Sequence, residues 1–193
     1  HGTIYGATWV NGSYGYALSF DGVDDYVEVP DDDSLDITDE ITIEAWVNID
    51  PSEFNEGSSA SRTAVVSKMY LDSDGGYMFL KEGWNSDRME LWISNGSDHR
   101  ELSSETALTP SVWYHVAVTL KGRNYIFYLN GNPDGSGSTD IDLSSSIRNL
   151  WIGSRTKHNT YEFHGTIAEV LIYNRAWTAD EVLSYYNATK GRF

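Results

Sequence analysis

The sequence predicts an all-β fold, a two-sheet antiparallel jelly-roll sandwich with one short C-terminal helix. About a dozen strand-like runs occur in the 193 residues, each bounded by Gly, Asn, Asp or Ser. The clearest run is Glu40–Asp50, in which every second residue from Ile41 to Ile49 is apolar. This alternation indicates a strand with one core face and one mixed face. Helical signals are confined to the last segment of the chain.

Twelve segments are predicted to be strands from their β-branched and aromatic residues and from the turn residues between them. In chain order they are Thr3–Trp9, Tyr16–Phe20, Tyr26–Val29, Glu40–Asp50, Thr63–Met69, Gly76–Lys81, Met89–Ser94, Arg100–Ser103, Val112–Leu120, Tyr125–Leu129, Leu150–Gly153 and Glu162–Tyr173.

Turn residues locate two tight connections and two longer loops. Lys121–Asn124 contains Gly122 and is predicted to close a hairpin, and Asn130-Gly131 is a second turn signal. Pro51–Arg62 and Asn132–Asp140 are rich in Gly, Ser and Asn and lack apolar periodicity, so both are expected to be loops. Loops of this length on a rigid sandwich either carry binding specificity or are merely flexible.

The terminal helix is predicted from its capping residues. Thr178 is a candidate N-cap, and Glu181 completes a capping box three residues later. Gly191 is a candidate stop, and we expect the helix to pack across the sandwich near its termini. Its short apolar stripe consists of Val182, Leu183 and Tyr186.

Composition excludes several classes of partner and location. The formal net charge of −16 argues against nucleic acid and anionic membrane surfaces. The absence of Cys excludes a disulfide framework, and the sequence has no apolar run of about 18 residues that would span a bilayer. The chain opens on His1-Gly2-Thr3 without Met or a basic segment. We therefore expect residues 1–193 to form a single module excised from a larger protein.

An acidic turn follows the second predicted strand. Asp21, Asp24 and Asp25 stand within five residues, and Gly22 supplies the turn. Carboxylates this close repel each other unless a cation or hydrogen-bond donors compensate. The turn is therefore a candidate Ca²⁺ site or, alternatively, a solvated acidic hairpin turn without metal.

Several sequence pieces resemble, in their order and spacing, the laminin G-like jelly-roll modules of the concanavalin A-like lectin and glucanase group. Each piece is weak alone, but the ordered set covers nearly the whole chain. The pieces are 15–27 (GYALSFDGVDDYV), 41–47 (ITIEAWV), 113–119 (WYHVAVT), 128–131 (YLNG), 150–153 (LWIG) and 165–176 (GTIAEVLIYNRA).

The resemblance implies two stacked sheets of six or seven strands, one of them concave, and an extracellular or cell-surface module with a binding role. It also implies a structural Ca²⁺ where the acidic turn meets Ala168-Glu169 of the last strand. Relatives usually have Asp where this chain has Ala168, so this site would use the Ala168 carbonyl and recruit other oxygens.

An enzyme on this fold is the less expected alternative. Related glucanases carry a Glu-x-Asp-x-x-Glu run that places nucleophile and acid in one cleft. Glu44 and Glu90 instead stand alone in their segments, and no Gly-x-Ser-x-Gly elbow occurs. The expected function is non-catalytic recognition of a polysaccharide or glycan. The other alternative is a structural or adhesive domain that contacts neighbouring domains or protein partners.

Two polar turns offer the aromatic rings that sugar sites require. Sugars stack their C–H faces on flat rings while polar side chains bind their hydroxyls. Trp84 with Arg88, and Tyr161 with Asn159, are the candidate ligand-binding residues; otherwise Trp84 covers the sandwich edge. The charge of −16 favours neutral glycans, unless Ca²⁺ or a local basic patch such as Arg88, Arg100, Arg155 and Lys157 bridges anionic ones.

Overall fold

The computed structural model describes residues 1–11, 15–54, 62–70, 74–83, 86–157 and 161–193. Its described elements are fourteen strands, two 3₁₀ turns at Asp33–Leu35 and Pro51–Glu53, and one α-helix. The strands are β1 (Thr3–Tyr5), β2 (Thr8–Asn11), β3 (Tyr16–Asp21), β4 (Tyr26–Val29), β5 (Glu40–Ile49), β6 (Thr63–Ser67), β7 (Gly76–Lys81), β8 (Arg88–Ser94), β9 (His99–Ala107), β10 (Trp113–Lys121), β11 (Asn124–Leu129), β12 (Asn132–Ser138), β13 (Leu150–Ile152) and β14 (His164–Tyr173), and the helix is α1 (Ala179–Thr189).

The strands form two seven-stranded antiparallel sheets packed as a sandwich, which confirms the predicted fold class. The first sheet has the order β1-β4-β13-β6-β7-β8-β9 and the second β12-β11-β10-β5-β14-β3-β2. Alternate residues of both sheets point into one shared core, in which Ile43, Val47, Phe79, Leu91 and Val118 are fully buried. Burying each such side chain stabilises the fold by about 1.5–3 kcal/mol.

Three details differ from the sequence-based prediction. Gly6, at φ +71°, divides the first predicted strand into β1 and β2, which belong to different sheets. Residues 20–29 are not a hairpin, because β3 and β4 also lie in different sheets. Asn132–Ser138 was predicted to be a loop and is the edge strand β12, paired with β11. Its polar sequence lacks alternation because most of this edge strand is exposed or half-buried.

Both predicted tight turns are present. Lys121 pairs directly with Asn124, so Gly122 and Arg123 form a two-residue hairpin turn. Asn130 and Gly131 both have positive φ, at 51° and 77°. This geometry is typical of the type I′ turn that matches the twist of antiparallel strands.

The helix covers the outer face of the second sheet. Trp46 on β5 stacks on Tyr186 at 5.7 Å between ring centres, and its indole Nε1 donates to the Thr189 hydroxyl at 3.0 Å. Val182 is fully buried, whereas Leu183 is 39% exposed, so its assignment to the apolar stripe was wrong. The mixed face of β5 is therefore a second buried layer. Within the described part of the chain, no helix has the length and apolarity to cross a membrane.

The predicted capping box is present at the start of α1. The Glu181 backbone N–H donates to the Thr178 hydroxyl at 3.3 Å, and the Thr178 N–H donates to the Glu181 carboxylate at 2.8 Å. We expect Thr178→Ala to lower the free energy of unfolding by about 1 kcal/mol, because one N-cap hydrogen bond is lost. Urea denaturation measures this change. A stability equal to that of the parent would show that the cap does not hold the helix on the sheet.

Glu181 also makes stability depend on acidic pH. The Arg175 guanidinium, 2.9 Å away, and the Thr178 N–H hold the pKa of the Glu181 carboxyl at about 2, below its ordinary value of 4.5. Because the folded-state pKa is depressed, this stabilisation is present above pH 4.5 and is lost as the pH falls toward 2. Denaturation at stepped pH should therefore give a flatter profile in this window for Glu181→Gln than for the parent. Identical profiles would contradict the assignment.

Candidate functional site

The acidic turn crosses from the second sheet to the first. One carboxylate oxygen each from Asp21, Asp24 and Asp25 lies within 4.8 Å of the others. The Asp25 carboxylate accepts the Asp21 backbone N–H at 2.9 Å, and the Asp21 carboxylate accepts the Val23 N–H at 2.9 Å. Gly22 has φ +76° and lies against His164, where a Cβ would approach within 2.7 Å. The turn backbone thus concentrates three carboxylates.

Of the three acids, Asp25 has the surroundings that most disfavour a charged carboxylate. Its side chain is buried and approaches the backbone of Gly6, where an added Cβ would lie 1.8 Å from the carboxylate. Burial, together with the neighbouring charges of Asp21 and Asp24, raises the pKa of Asp25 above its ordinary value. A cation among these oxygens would offset both effects, and the donor set of three carboxylates suits Ca²⁺.

The structure does not bring Ala168 and Glu169 to this turn. The strand register places His164 opposite Asp21, whereas Ala168 lies four residues further along β14, opposite Trp46. At about 3.3 Å per residue this separation is about 13 Å. Glu169 lies in a bulge of β14 and accepts the Tyr185 hydroxyl at 2.9 Å. The prediction that joined this pair to the acidic turn was therefore wrong in placement.

The outer face of the first sheet carries a second cluster, which we call the arginine–aromatic cluster: Arg62, Trp92, Arg155 and Tyr161. Trp92 stands on β8, Arg62 directly precedes β6, and the other two belong to the β13–β14 connection. Tyr161 has φ +59°, which is costly for a bulky residue. Its carbonyl accepts the Ala64 N–H at 2.9 Å, which ties this connection to β6.

Both guanidinium groups of the cluster lie over the same two rings. The Arg62 guanidinium carbon is 4.8 Å from the Trp92 ring centre and 5.9 Å from that of Tyr161. The corresponding distances for Arg155 are 5.9 and 5.2 Å. The rings meet edge to face at 6.1 Å, and Trp92 is 4% exposed. The cluster is a compact cation–π assembly on an apolar base.

This outer face is covered at its centre and open at its margin. Met78 and Leu80 project outward from β7 but are fully buried beneath Trp92 and Tyr161. Tyr70, at the margin, is 41% exposed, and Arg148 and Arg155 each lie 5.7 Å from its ring centre. A ligand on this face would therefore contact the arginines and tyrosines, and the sheet itself would remain covered.

Glu90 is the buried acid of this face. Its two carboxylate oxygens accept the Trp92 indole N–H at 2.8 Å and the Ser103 hydroxyl at 3.1 Å. Burial is the main cause that raises the pKa of the Glu90 carboxyl above its ordinary value. Since both oxygens already have donors, Glu90 orients the Trp92 ring that supports the two guanidinium groups.

Two of the four predicted ligand-binding residues can be located. Tyr161 lies in the cluster, and Arg88 is exposed on β8, on the same face as Trp92 and four residues before it. Trp84 and Asn159 lie outside the described residues. Arg62 and Trp92 were not predicted as binding residues. The alternation of Arg88, Glu90 and Trp92 along β8 could have indicated that Trp92 shares the outward face of Arg88, but Arg62 lies on a different segment.

An exposed aromatic pair at the β2 edge was also missed. Trp9 is 64% exposed and Tyr16 71% exposed, and their rings meet edge to face at 6.4 Å. Beside them a cavity of about 220 Å³ opens between the two sheets and is lined by Leu18, Phe20 and Ile152, among others. The period-two pattern assigned these rings to strands without showing that β2 lies at a sheet edge.

Glu44 and His115 meet on the other side of the molecule. Both are fully buried beneath α1, and His115 Nε2 lies 3.2 Å from the Glu44 carboxylate. The rings of Tyr185 and Tyr186 cover the imidazole at 5.8 and 5.9 Å. A substrate could reach this pair only if the helix left the sheet.

Comparisons with known proteins agree with this architecture. Domain 4 of AbnA, an extracellular GH43 arabinanase from Geobacillus stearothermophilus solved with arabinotriose, has a TM-score of 0.73 at 18% identity over 95% of this chain and 86% of that domain. The binding domain of Paraclostridial Mosquitocidal Protein 1 has a TM-score of 0.74 at 14% identity over 97% of this chain and 47% of that one. At these identities the likeness shows the fold.

Sequence comparison gives the family. The chain is 34% identical over 110 residues to the human Adhesion G-protein coupled receptor D1, which is 54% of this chain and 12% of the receptor's length. The profile of a laminin G family in the concanavalin A-like lectin/glucanases superfamily matches residues 21–183. This match confirms the resemblance expected from the sequence pieces: the chain belongs to the laminin G-like family of the concanavalin A-like lectin/glucanases superfamily.

Proposed function

We propose that this chain is a non-catalytic recognition module that binds a polysaccharide or glycan at the margin of the first sheet's outer face. The observation that carries the proposal is the arginine–aromatic cluster. Its guanidinium groups and aromatic rings lie on the same outer surface as the exposed Tyr70 ring. Rings offer stacking to the apolar face of a sugar, and guanidinium donors bind its oxygens. The arabinotriose complex of a similar fold supports the same ligand class.

The absence of catalysis in this proposal is supported by the position of the acids. Glycoside hydrolysis uses two carboxyl groups that flank one bond. Glu44 is sealed beneath the helix, and both oxygens of Glu90 accept hydrogen bonds from the protein. We also place the module in an extracellular setting as a binding part of a larger protein, in line with the extracellular arabinanase whose domain it resembles.

The alternative function, adhesion to a protein partner or neighbouring domain, is favoured by a different surface. The Trp9–Tyr16 pair is exposed, apolar and next to the inter-sheet cavity. Exposed aromatic patches of this kind are typical of protein interaction sites. The receptor relative makes this alternative worth a direct comparison.

Removing one aromatic ring from each surface distinguishes the glycan site proposed on the first sheet from the Trp9–Tyr16 surface. We expect Tyr70→Ala to weaken glycan binding by about thirtyfold, about 2 kcal/mol, which is typical of an interface hot spot. Because Tyr70 is a surface residue, its loss should change stability by only about 0.5 kcal/mol. Tyr16→Ala, which removes the same ring from a more exposed position at the β2 edge, is the control. Affinity measured on the polysaccharide that binds best should separate the variants, and a loss confined to Tyr16→Ala would transfer binding to the edge surface.

We also propose that the acidic turn binds a structural Ca²⁺ through Asp21, Asp24 and Asp25. A ligand bound only by the native state stabilises it by about 2.7 kcal/mol at a hundredfold excess over Kd. The melting temperature should therefore fall by several degrees when metal is removed by a chelator and recover when Ca²⁺ is added. Differential scanning fluorimetry on protein shown to be metal-free measures this shift.

Variants assign the Ca²⁺ response to the turn. Asp24→Asn removes one charged ligand from an exposed position and should abolish most of the response, while Asp98→Asn, an exposed acid of a different loop, should retain it. Superimposable melting curves of the parent with and without Ca²⁺ would refute the site.

A further inference from the structure

The arginine–aromatic cluster holds two guanidinium groups that lack close carboxylate partners in the described part of a chain with 29 acidic and 13 basic residues. Among the residues that the structure describes, Arg155 has no carboxylate within ion-pair distance. The one carboxylate within this distance of Arg62 in the described ranges is that of Glu101, at 3.8 Å. Five other arginines each have a close carboxylate: Arg100 with Asp140, Arg123 with Asp142, Arg148 with Asp74, Arg175 with Glu181 and Arg192 with Glu169.

Both arginines also keep an unused hydrogen-bond donor. The Nε atoms of Arg62 and Arg155 are buried and have no acceptor within the described structure. One terminal nitrogen of Arg155 donates a hydrogen bond to the Tyr70 backbone carbonyl, and Arg62 Nη1 lies 3.5 Å from the Tyr161 hydroxyl. Buried N–H groups normally have an acceptor, so both guanidinium groups lack part of their ordinary hydrogen bonding. Because the Nε atoms are enclosed by the protein, an anion would bind from the exposed side through the terminal nitrogens, which can contact two oxygens of one acidic group.

The surroundings of the pair favour an anionic ligand over a neutral one. Two cations share the Trp92 and Tyr161 rings, and the acid beneath them, Glu90, has both oxygens occupied by the Trp92 indole N–H and the Ser103 hydroxyl. The apolar base of Met78 and Leu80 excludes water from below. In such a site the attraction between a guanidinium and an oxyanion is stronger than at an open surface. The remaining charge of the protein repels anions, so an anionic ligand would be recognised here and rejected over most of the molecule.

We propose that Arg62 and Arg155 bind the acidic group, a carboxylate or a sulfate ester, of an anionic polysaccharide, while Tyr70 contacts the sugar ring. This inference rests on the proposed function and names its ligand class. It replaces the expectation of neutral glycans drawn from net charge, because the local arrangement of charges decides which ligand binds.

Affinity electrophoresis tests the ligand class directly. Native gels would contain a carboxylated polymer (polygalacturonate, alginate or hyaluronan), a sulfated polymer (dextran sulfate), or a neutral polymer (arabinan, galactan or dextran). We expect retardation in at least one acidic gel and none in the neutral gels. The carboxylate and sulfate arms identify the acidic group. Retardation in neutral gels alone would overturn this inference and leave the proposed function standing, whereas retardation in no gel would overturn both.

Arginine variants test the site. Arg62→Ala and Arg155→Ala should each weaken binding to the retarding polymer about tenfold to a hundredfold, as expected when a hydrogen bond to a charged group is lost. Arg123→Ala is the control, because it removes the same charge from an exposed arginine paired with Asp142 on a distant hairpin. If Arg123→Ala weakened polymer binding equally, net charge alone would explain the effect, and the proposed site would be overturned.

Arg155→Lys separates fork recognition from charge and preserves much of the side chain in case the alanine variant unfolds. Because lysine keeps the charge but loses the bidentate geometry, this variant should bind almost as weakly as Arg155→Ala. Melting curves check that each variant is folded. Binding by Arg155→Lys at the parent's affinity would contradict recognition by the guanidinium pair.

Discussion

The structure depends on one constraint: each sheet has two faces, and only one of them can enter the shared core. The inner faces meet in a layer built around β5, whose Ile41, Ile43 and Val47 are fully buried. The two outer faces must then be covered by other groups, and these groups differ between the sheets. The second sheet is sealed by α1 and by Phe193, whose ring lies 5.1 Å from that of Trp46. The first sheet is covered by Trp92, Tyr161 and two arginines.

These two covers have different chemistry, and this difference locates function. Beneath the helix, Trp46 donates to Thr189 and Glu44 pairs with His115, so these polar groups face each other away from solvent. On the first sheet the polar groups are cations with unused donors, and an exposed tyrosine borders them. Unpaired buried atoms occur on both faces, since Glu44 Oε1 and His115 Nδ1 also lack a partner among the described residues, but only the cluster on the first sheet borders an exposed side chain, Tyr70. The sealed face therefore stabilises the fold, and the cationic face is the one suited to recognition.

The sequence predicted the parts that local pattern controls. Alternation at period two identified β5, turn residues identified the Asn130-Gly131 connection, and the capping box identified α1. What it missed depends on sheet order. Asn132–Ser138 has no apolar face because it lies at an edge, and the separation of Ala168 from the acidic turn follows from the register of β14 against β3. The meeting of Arg62 with Arg155 joins residues 93 positions apart, which no local pattern encodes.

The division of labour between the two faces can be measured through the tryptophan indole N–H signals. Trp92 donates to Glu90 beneath the cationic face, and Trp46 donates to Thr189 beneath the helix. In a ¹H–¹⁵N spectrum recorded during titration with the bound polysaccharide, we predict that the Trp92 indole signal shifts and the Trp46 signal stays in place. A shift of Trp46 and the α1 amides, with Trp92 unchanged, would contradict the account.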